Sequence, residues 1–201
     1  MPASWATHAA IVACVLEPLW TAATNHVFLD SVREGTITDS AFDRWLAQDA
    51  VFVADLLRFQ ARLLARAPRS AQSTLAGGCV ALVEELDWFD VQSARRGIDT
   101  EQPALPATLA YRDLLVRLDN APFDAAITAL WVLERVYLLA WTVAASPESP
   151  FSEFTDHWTT PEFAGYVEAL GALATPDGHD DLIAEVLSYE VAFWDMALPN
   201  L

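Results

Sequence analysis

Residues 125–145 read AAITALWVLERVYLLAWTVAA, a run in which Glu134 and Arg135 are the only charges. Its length approaches that of a membrane span, but two charges at the centre make a lipid-facing helix expensive. The run therefore predicts a buried core helix, and that helix must carry the Glu134 carboxyl into the protein interior. Burying an ionised acid costs several kcal/mol unless it is paired, hydrogen-bonded or protonated. Perturbed acids of this kind gather where chemistry is done.

Outward from this run, the composition narrows the class. With 201 residues, 54% of them hydrophobic, the chain can bury a full core, and a single helical domain over 1–201 is expected. All 11 basic residues are arginine and the formal net charge is -17. The missing lysine excludes Schiff-base chemistry and a P-loop phosphate site. The acidic balance argues against nucleic acid or an anionic membrane as partner. Cys14 and Cys79 fit no CxxC or zinc spacing, as expected of a reduced intracellular protein. The opening MPASWATHAA lacks a basic n-region, and the apolar residues 11–16 run straight into Glu17 and Pro18, so no secretory signal is read and a cytoplasmic location is expected.

The period is helical almost everywhere, with Gly and Pro falling between apolar segments. From a cap at Asp39 or Ser40, Phe42, Trp45, Leu46, Val53, Leu56, Leu57 and Leu64 recur at three-, four- and seven-residue steps until Pro68. Residues 71–91 repeat the pattern, a polar loop covers 97–106, and 107–118 and 123–145 follow. After a turn at 147–150 come 163–173 and, past residues 176–178, a last helix at about 180–197. Seven or so helices without strands predict an all-α bundle, whose inward polar side chains would build any site.

Several segments resemble one family. His26-Val-Phe28, Gly35, Phe42 and Trp45-Leu-Ala-Gln48-Asp49 are similar to the opening of the TenA/thiaminase II proteins. Gly77-Gly-Cys-Val-Ala-Leu-Val-Glu-Glu85-Leu-Asp-Trp-Phe89 and Ala129-Leu-Trp131-Val-Leu-Glu134-Arg-Val-Tyr137-Leu-Leu-Ala-Trp141 resemble its TenA_E branch. Trp158-Thr-Thr-Pro-Glu-Phe163-Ala-Gly-Tyr166-Val and Tyr189-Glu190-Val-Ala-Phe193-Trp194-Asp-Met196-Ala197 resemble the closing segments. The matches run in the family's order from His26 to Ala197. This resemblance implies a haem-oxygenase-like helical bundle with one pocket of acids and aromatics. It further implies salvage of the thiamin pyrimidine: hydrolysis of 4-amino-5-aminomethyl-2-methylpyrimidine, or its formylamino derivative, to the hydroxymethyl compound. No cofactor is implied, the partner is a small pyrimidine, and a homodimer or homotetramer is expected.

Two departures bear on mechanism. The cysteine-bearing branch carries its nucleophile in a helix where this chain offers Trp131, Glu134 and Tyr137, and neither Cys14 nor Cys79 lies there. Phe52 stands where many relatives have a tyrosine, one turn after Asp49. Both changes count against cysteine chemistry and cleavage of intact thiamin.

The residues suggest a division of labour. An aminopyrimidine presents a ring nitrogen beside an exocyclic amine, a pattern that the Asp49 carboxylate can bind; the competing reading is a solvated helix acid. Flat rings need stacking partners, for which Trp131 and Phe52 are candidates among many core aromatics. Displacing an amine requires a proton for the leaving nitrogen and an activated water, which two carboxyls can supply. The resemblance makes Glu190 the general acid/base. Burial and the missing cysteine make Glu134 its partner, against the alternative of a structural pair with a core arginine or tyrosine. Tyr111 and Tyr137 can orient a carboxylate or the ring, or be core tyrosines with satisfied hydroxyls, and Tyr137 shares a helix face with Glu134. Glu85, in an acid cluster that otherwise reads as a solvated face, joins the substrate-binding candidates by the resemblance.

His8, His26, His157 and His179 show no metal-ligand spacing, and His26 reads as a helix-end or core residue. No serine-hydrolase elbow, phosphate loop or dinucleotide fingerprint is present. Besides the hydrolase, two other classes fit such a fold: a non-catalytic small-molecule binder or regulator, and a haem- or oxygen-using enzyme with a ligand in the first helix.

Overall fold

The computed structural model describes residues 16–99 and 102–198; Cys14 and His8 lie outside them. After a helical run at 16–24, eight helices follow: α1 (Val27–Arg33), α2 (Asp39–Ala65), α3 (Arg69–Arg96), α4 (Pro106–Leu118), α5 (Phe123–Ala144), α6 (Ser152–His157), α7 (Pro161–Gly171) and α8 (Asp180–Asp195). The described residues contain no strand.

Local chemistry sets the helix ends. His26 caps α1, its Nδ1 accepting from the Phe28 amide at 3.2 Å, so the helix-end reading of this residue holds. The cap of α2 is Thr38, whose hydroxyl accepts from the Ala41 amide at 3.2 Å, rather than Asp39 or Ser40, which lie inside the first turn. Helix α3 stops where Gly97 takes a left-handed φ of 70°. Helices α4 and α7 each begin with proline in their first turn. Helix α6 escapes the periodic reading because its six residues are too short to show a period.

Helix α5 is the axis, packing against α1, α2, α6, α7 and α8. It is long and apolar enough to cross a membrane by length and composition, yet here it is a core helix, with Val132, Val136, Ala140 and Trp141 fully buried. An aromatic centre ties the bundle to it. Trp45 of α2 meets Trp141 of α5 at 5.0 Å between ring centroids and Trp194 of α8 at 5.8 Å, while Trp158, just past α6, lies 4.4 Å from Trp141. The connection into α4 is pinned from α2: Gln48 donates to the Pro103 carbonyl at 3.2 Å and accepts from the Leu105 amide and the Thr108 hydroxyl, each at 2.7 Å. That clamp fixes the start of the helix that carries Tyr111.

Helices α2 and α3 form a long hairpin, and the glycine pair in α3 serves two ends. A Cβ at Gly78 would come within 2.1 Å of Gln60 Nε2 and 2.4 Å of the Tyr166 hydroxyl; a Cβ at Gly77 would meet nothing within 4 Å. Gly78 thus admits the contact between Gln60 and Tyr166, whose hydroxyl donates to Gln60 Oε1 at 3.0 Å. Opposite outcomes are expected from the two alanine substitutions. Gly78→Ala should destabilise by about 1–3 kcal/mol through overpacking, whereas Gly77→Ala, in an open helical position, should stabilise by about 0.5–1 kcal/mol. Urea unfolding of both variants checks this, and equal effects would contradict it.

Candidate active site

One cavity of about 580 Å³ opens among α2, α3, α5, α7 and the segment after α6. Its inner wall presents Asp49 and Phe52 from α2 and Leu133, Glu134 and Tyr137 from α5. Glu84, Glu85 and Gly77 of α3 form a second side, and His157, Trp158, Phe163 and Tyr166 close the third. No arginine lines it. Several arginines pair with acids elsewhere, as in Arg112–Asp55 at 2.6 Å, Arg62–Asp119 at 2.7 Å and Arg117–Glu185 at 2.5 Å.

Glu134 is 6% exposed and, among the described residues, has neither a hydrogen-bond donor nor an ion-pair partner. Both structural alternatives for it, a core arginine and a tyrosine bond, are therefore unmet. Burial, followed by the negative Glu190 and Glu85 nearby, pushes its carboxyl up to about 8. Glu190 stands behind the cavity wall rather than in it. It accepts from the Tyr111 hydroxyl at 2.5 Å, and burial pushes it to about 8 against the pull of that bond. Tyr111, also behind the wall, is itself held up by burial and by Glu190.

Asp49 accepts from the Tyr137 hydroxyl at 2.9 Å while lying 1% exposed. Burial raises its pKa well above the usual carboxylate range against that bond, and Glu85, Glu190 and Glu134 add to the rise. Tyr137 thus serves Asp49, not Glu134, even though it shares a face of α5 with the latter. Glu85 is held at both oxygens, by Trp158 Nε1 at 2.8 Å and His157 Nε2 at 2.7 Å. Phe52 lies in the wall with its ring 4.6 Å from that of Tyr111.

Of the residues expected in the site, Asp49, Phe52, Glu85, Glu134 and Tyr137 meet in the cavity, and Glu190 and Tyr111 back it. Trp131 is not brought to it. Its indole lies against α7, where a Cβ on Gly171 would come within 2.9 Å of Nε1, and the Arg135 guanidinium covers the ring at 5.5 Å. The reason is the sweep of the helix: three residues before Glu134, the side chain is captured by the α5–α7 seam. His157, Trp158 and Tyr166 complete the wall, and pairwise spacing gave no hint of His157, whose partner lies 72 positions away. Cys79 does not line the cavity. Both ring nitrogens of His26 are engaged, by the Phe28 amide and by Asp195 at 3.1 Å, so it is not free to ligate a haem. Among the described residues no group of three His, Cys, Asp or Glu side chains could hold a metal ion.

The model of the TENA/THI-4/PQQC family matches residues 15–200. The chain belongs to this family. A Glycine max protein named "Probable bifunctional TENA-E protein" is 29% identical over 205 residues, covering 91% of this chain and 90% of that protein. The crystal structure of a TenA homologue from Pyrococcus furiosus superposes with a TM-score of 0.85 at 29% identity, over 94% of this chain and 99% of that one. A TenA family transcription regulator from Silicibacter sp. TM1040 shares the fold at a TM-score of 0.84 and 21% identity, over 95% and 96% of the two chains. The bundle is accordingly the haem-oxygenase-like fold of TenA structures.

In this TenA-family chain the raised acids have a thermodynamic signature. Glu134 moves from an ordinary 4.5 to about 8 on folding, so its favourable contribution is complete below about pH 4.5 and is lost as pH rises through about 8. Glu134→Gln removes that loss. Its melting temperature should exceed that of the parent at pH 9, by a margin worth up to about 5 kcal/mol, and the margin should shrink towards pH 5. A constant difference across calorimetric scans at those pH values would contradict the buried, protonated acid.

Proposed function

We propose that this chain is an aminopyrimidine aminohydrolase of thiamin salvage. It converts 4-amino-5-aminomethyl-2-methylpyrimidine, or the formylamino derivative, to the hydroxymethylpyrimidine by carboxyl acid/base catalysis. The observation that carries the reading is Glu134: a buried carboxyl in the cavity wall with no partner among the described residues. Leaving such a group unpaired is costly unless a ligand or water completes it.

The surroundings suit an amine-bearing ring. Acids without arginine favour a neutral or cationic ligand and repel phosphate. Asp49, backed by Tyr137, receives the amino-pyrimidine edge, and Phe52 and Phe163 offer apolar ring surface. Glu134 and Glu190 hold a proton at neutral pH because both are raised to about 8. Glu134, which faces the cavity, gives that proton to the departing amine, and Glu190 replenishes it from behind. The soybean relative's name, with its TENA-E designation, supports the same assignment.

A cytoplasmic homodimer or homotetramer without cofactor completes the proposal. Val80, Val83 and Val91, all exposed along α3, supply an apolar surface for self-association.

Incubation with the aminomethylpyrimidine should release one ammonia per hydroxymethyl product. Glu134→Gln should lower kcat/KM by about 10²–10⁴-fold, and Asp49→Asn should chiefly raise KM. Tight pyrimidine binding by calorimetry with no ammonia would instead identify a non-catalytic binder, the reading that the missing hydroxyl at Phe52 favours.

A further inference from the structure

The inner acids leave the proposed hydrolysis short of one component. Glu134, Glu190 and Asp49 are all displaced towards their protonated forms by burial and by one another. They can give a proton, but water attack also needs a group that takes one.

The third side of the cavity holds such a group. Both oxygens of Glu85 accept from nitrogen donors, Trp158 Nε1 at 2.8 Å and His157 Nε2 at 2.7 Å. With the Glu85 carboxyl as acceptor, the network assigns the Nε2 hydrogen to this contact and leaves Nδ1 as the ring nitrogen without a partner. No described residue bonds Nδ1. The imidazole lies flat on Trp88, with centroids 3.9 Å apart and planes within 4°. A ring clamped by a carboxylate on one nitrogen and by an indole on its face has a fixed orientation, the arrangement by which a carboxylate orients a histidine base. It lines the same cavity as Glu134 and Tyr137. The charged groups around it are Glu85 across on α3, Glu153 one turn earlier on α6, and Arg95, which pairs with Glu153 at 2.7 Å; Glu84 and Glu162 share the cavity rim.

We propose that His157 is the general base of the reaction, oriented by Glu85, and that Glu134 is the acid on the opposing wall. This rests on the aminohydrolase reading above. Water loses a proton to His157 Nδ1 as its oxygen bonds to the exocyclic carbon. The carbon–nitrogen bond breaks with its electron pair on nitrogen, which takes the Glu134 proton and leaves as ammonia. The imidazolium then loses its proton to solvent and Glu134 regains one, so the cycle consumes one water and needs no oxidant or reductant. Glu85 is a positioning residue.

The test follows ammonia release against pH in the parent protein, in His157→Gln, in His157→Ala with added imidazole, and in Glu85→Gln. The parent should lose rate on the acidic side as the base is protonated and on the alkaline side as Glu134 ionises. His157→Gln should lower kcat/KM by about 10²–10⁴-fold and abolish the acidic limb while retaining the alkaline one. Imidazole should restore His157→Ala but not Glu85→Gln, whose ring is present and misoriented. If the parent is active and His157→Gln stays within threefold with both limbs intact, or His157→Ala is slow and unrescued by imidazole, the inference is overturned while the aminohydrolase reading stands. A parent that releases no ammonia removes both.

Discussion

Desolvation of the Glu134 carboxyl is the constraint around which this protein is arranged. Helix α5 is packed on five other helices, and the aromatic centre at Trp45, Trp141, Trp158 and Trp194 gathers around it. A carboxyl on such a helix must either find a donor or face a cavity. It faces the cavity, and neighbouring negative charge reinforces its proton affinity. Filling that hollow with apolar side chains would stabilise the fold, so the cavity is a stability cost that the fold carries.

The other acids obey a complementary rule. Glu190 has Tyr111, Asp49 has Tyr137, and Glu85 has His157 and Trp158, each donor coming from a different part of the chain. Three carboxyls are therefore fixed in orientation while the fourth is free to meet a ligand. The quality of the donor separates them further. Glu85 has two N–H donors, whereas the single phenol donors at Asp49 and Glu190 are outweighed by burial. The cavity thereby holds a doubly bonded carboxyl on one side and an unpartnered one on another.

Much of this was legible in the chain before any coordinates. The core helix was readable because 125–145 can bury on every side, and the long helices because their apolar steps persist for six or seven turns. The acids of the site came from the resemblance joined to the cost of burying Glu134. What periodicity could not supply was direction. Tyr137 and Glu134 share a face, yet the phenol reaches across to α2, and Trp131, one turn earlier, is taken by the approach of Gly171. Thr38 outcompetes its neighbours as cap because its hydroxyl, not theirs, meets the Ala41 amide. His157 was invisible for a different reason: its meaning depends on Glu85 and Trp88, and no local spacing joins them.

The glycine pair of α3 shows how the same helix serves both stability and the site. At Gly78 the missing side chain lets Gln60 and Tyr166 bond inside the bundle, with Gln60 also donating to the Leu75 carbonyl at 2.9 Å. That network holds α7 to the α2–α3 hairpin. At Gly77, one residue earlier and rotated by about 100°, nothing is close, and the missing side chain instead keeps the wall recessed. Two identical residues in sequence thus act through opposite physical effects, close contact and open space. The helix can hold both because its remaining length packs against α2, which carries Asp49 and Phe52 to the other side of the same cavity.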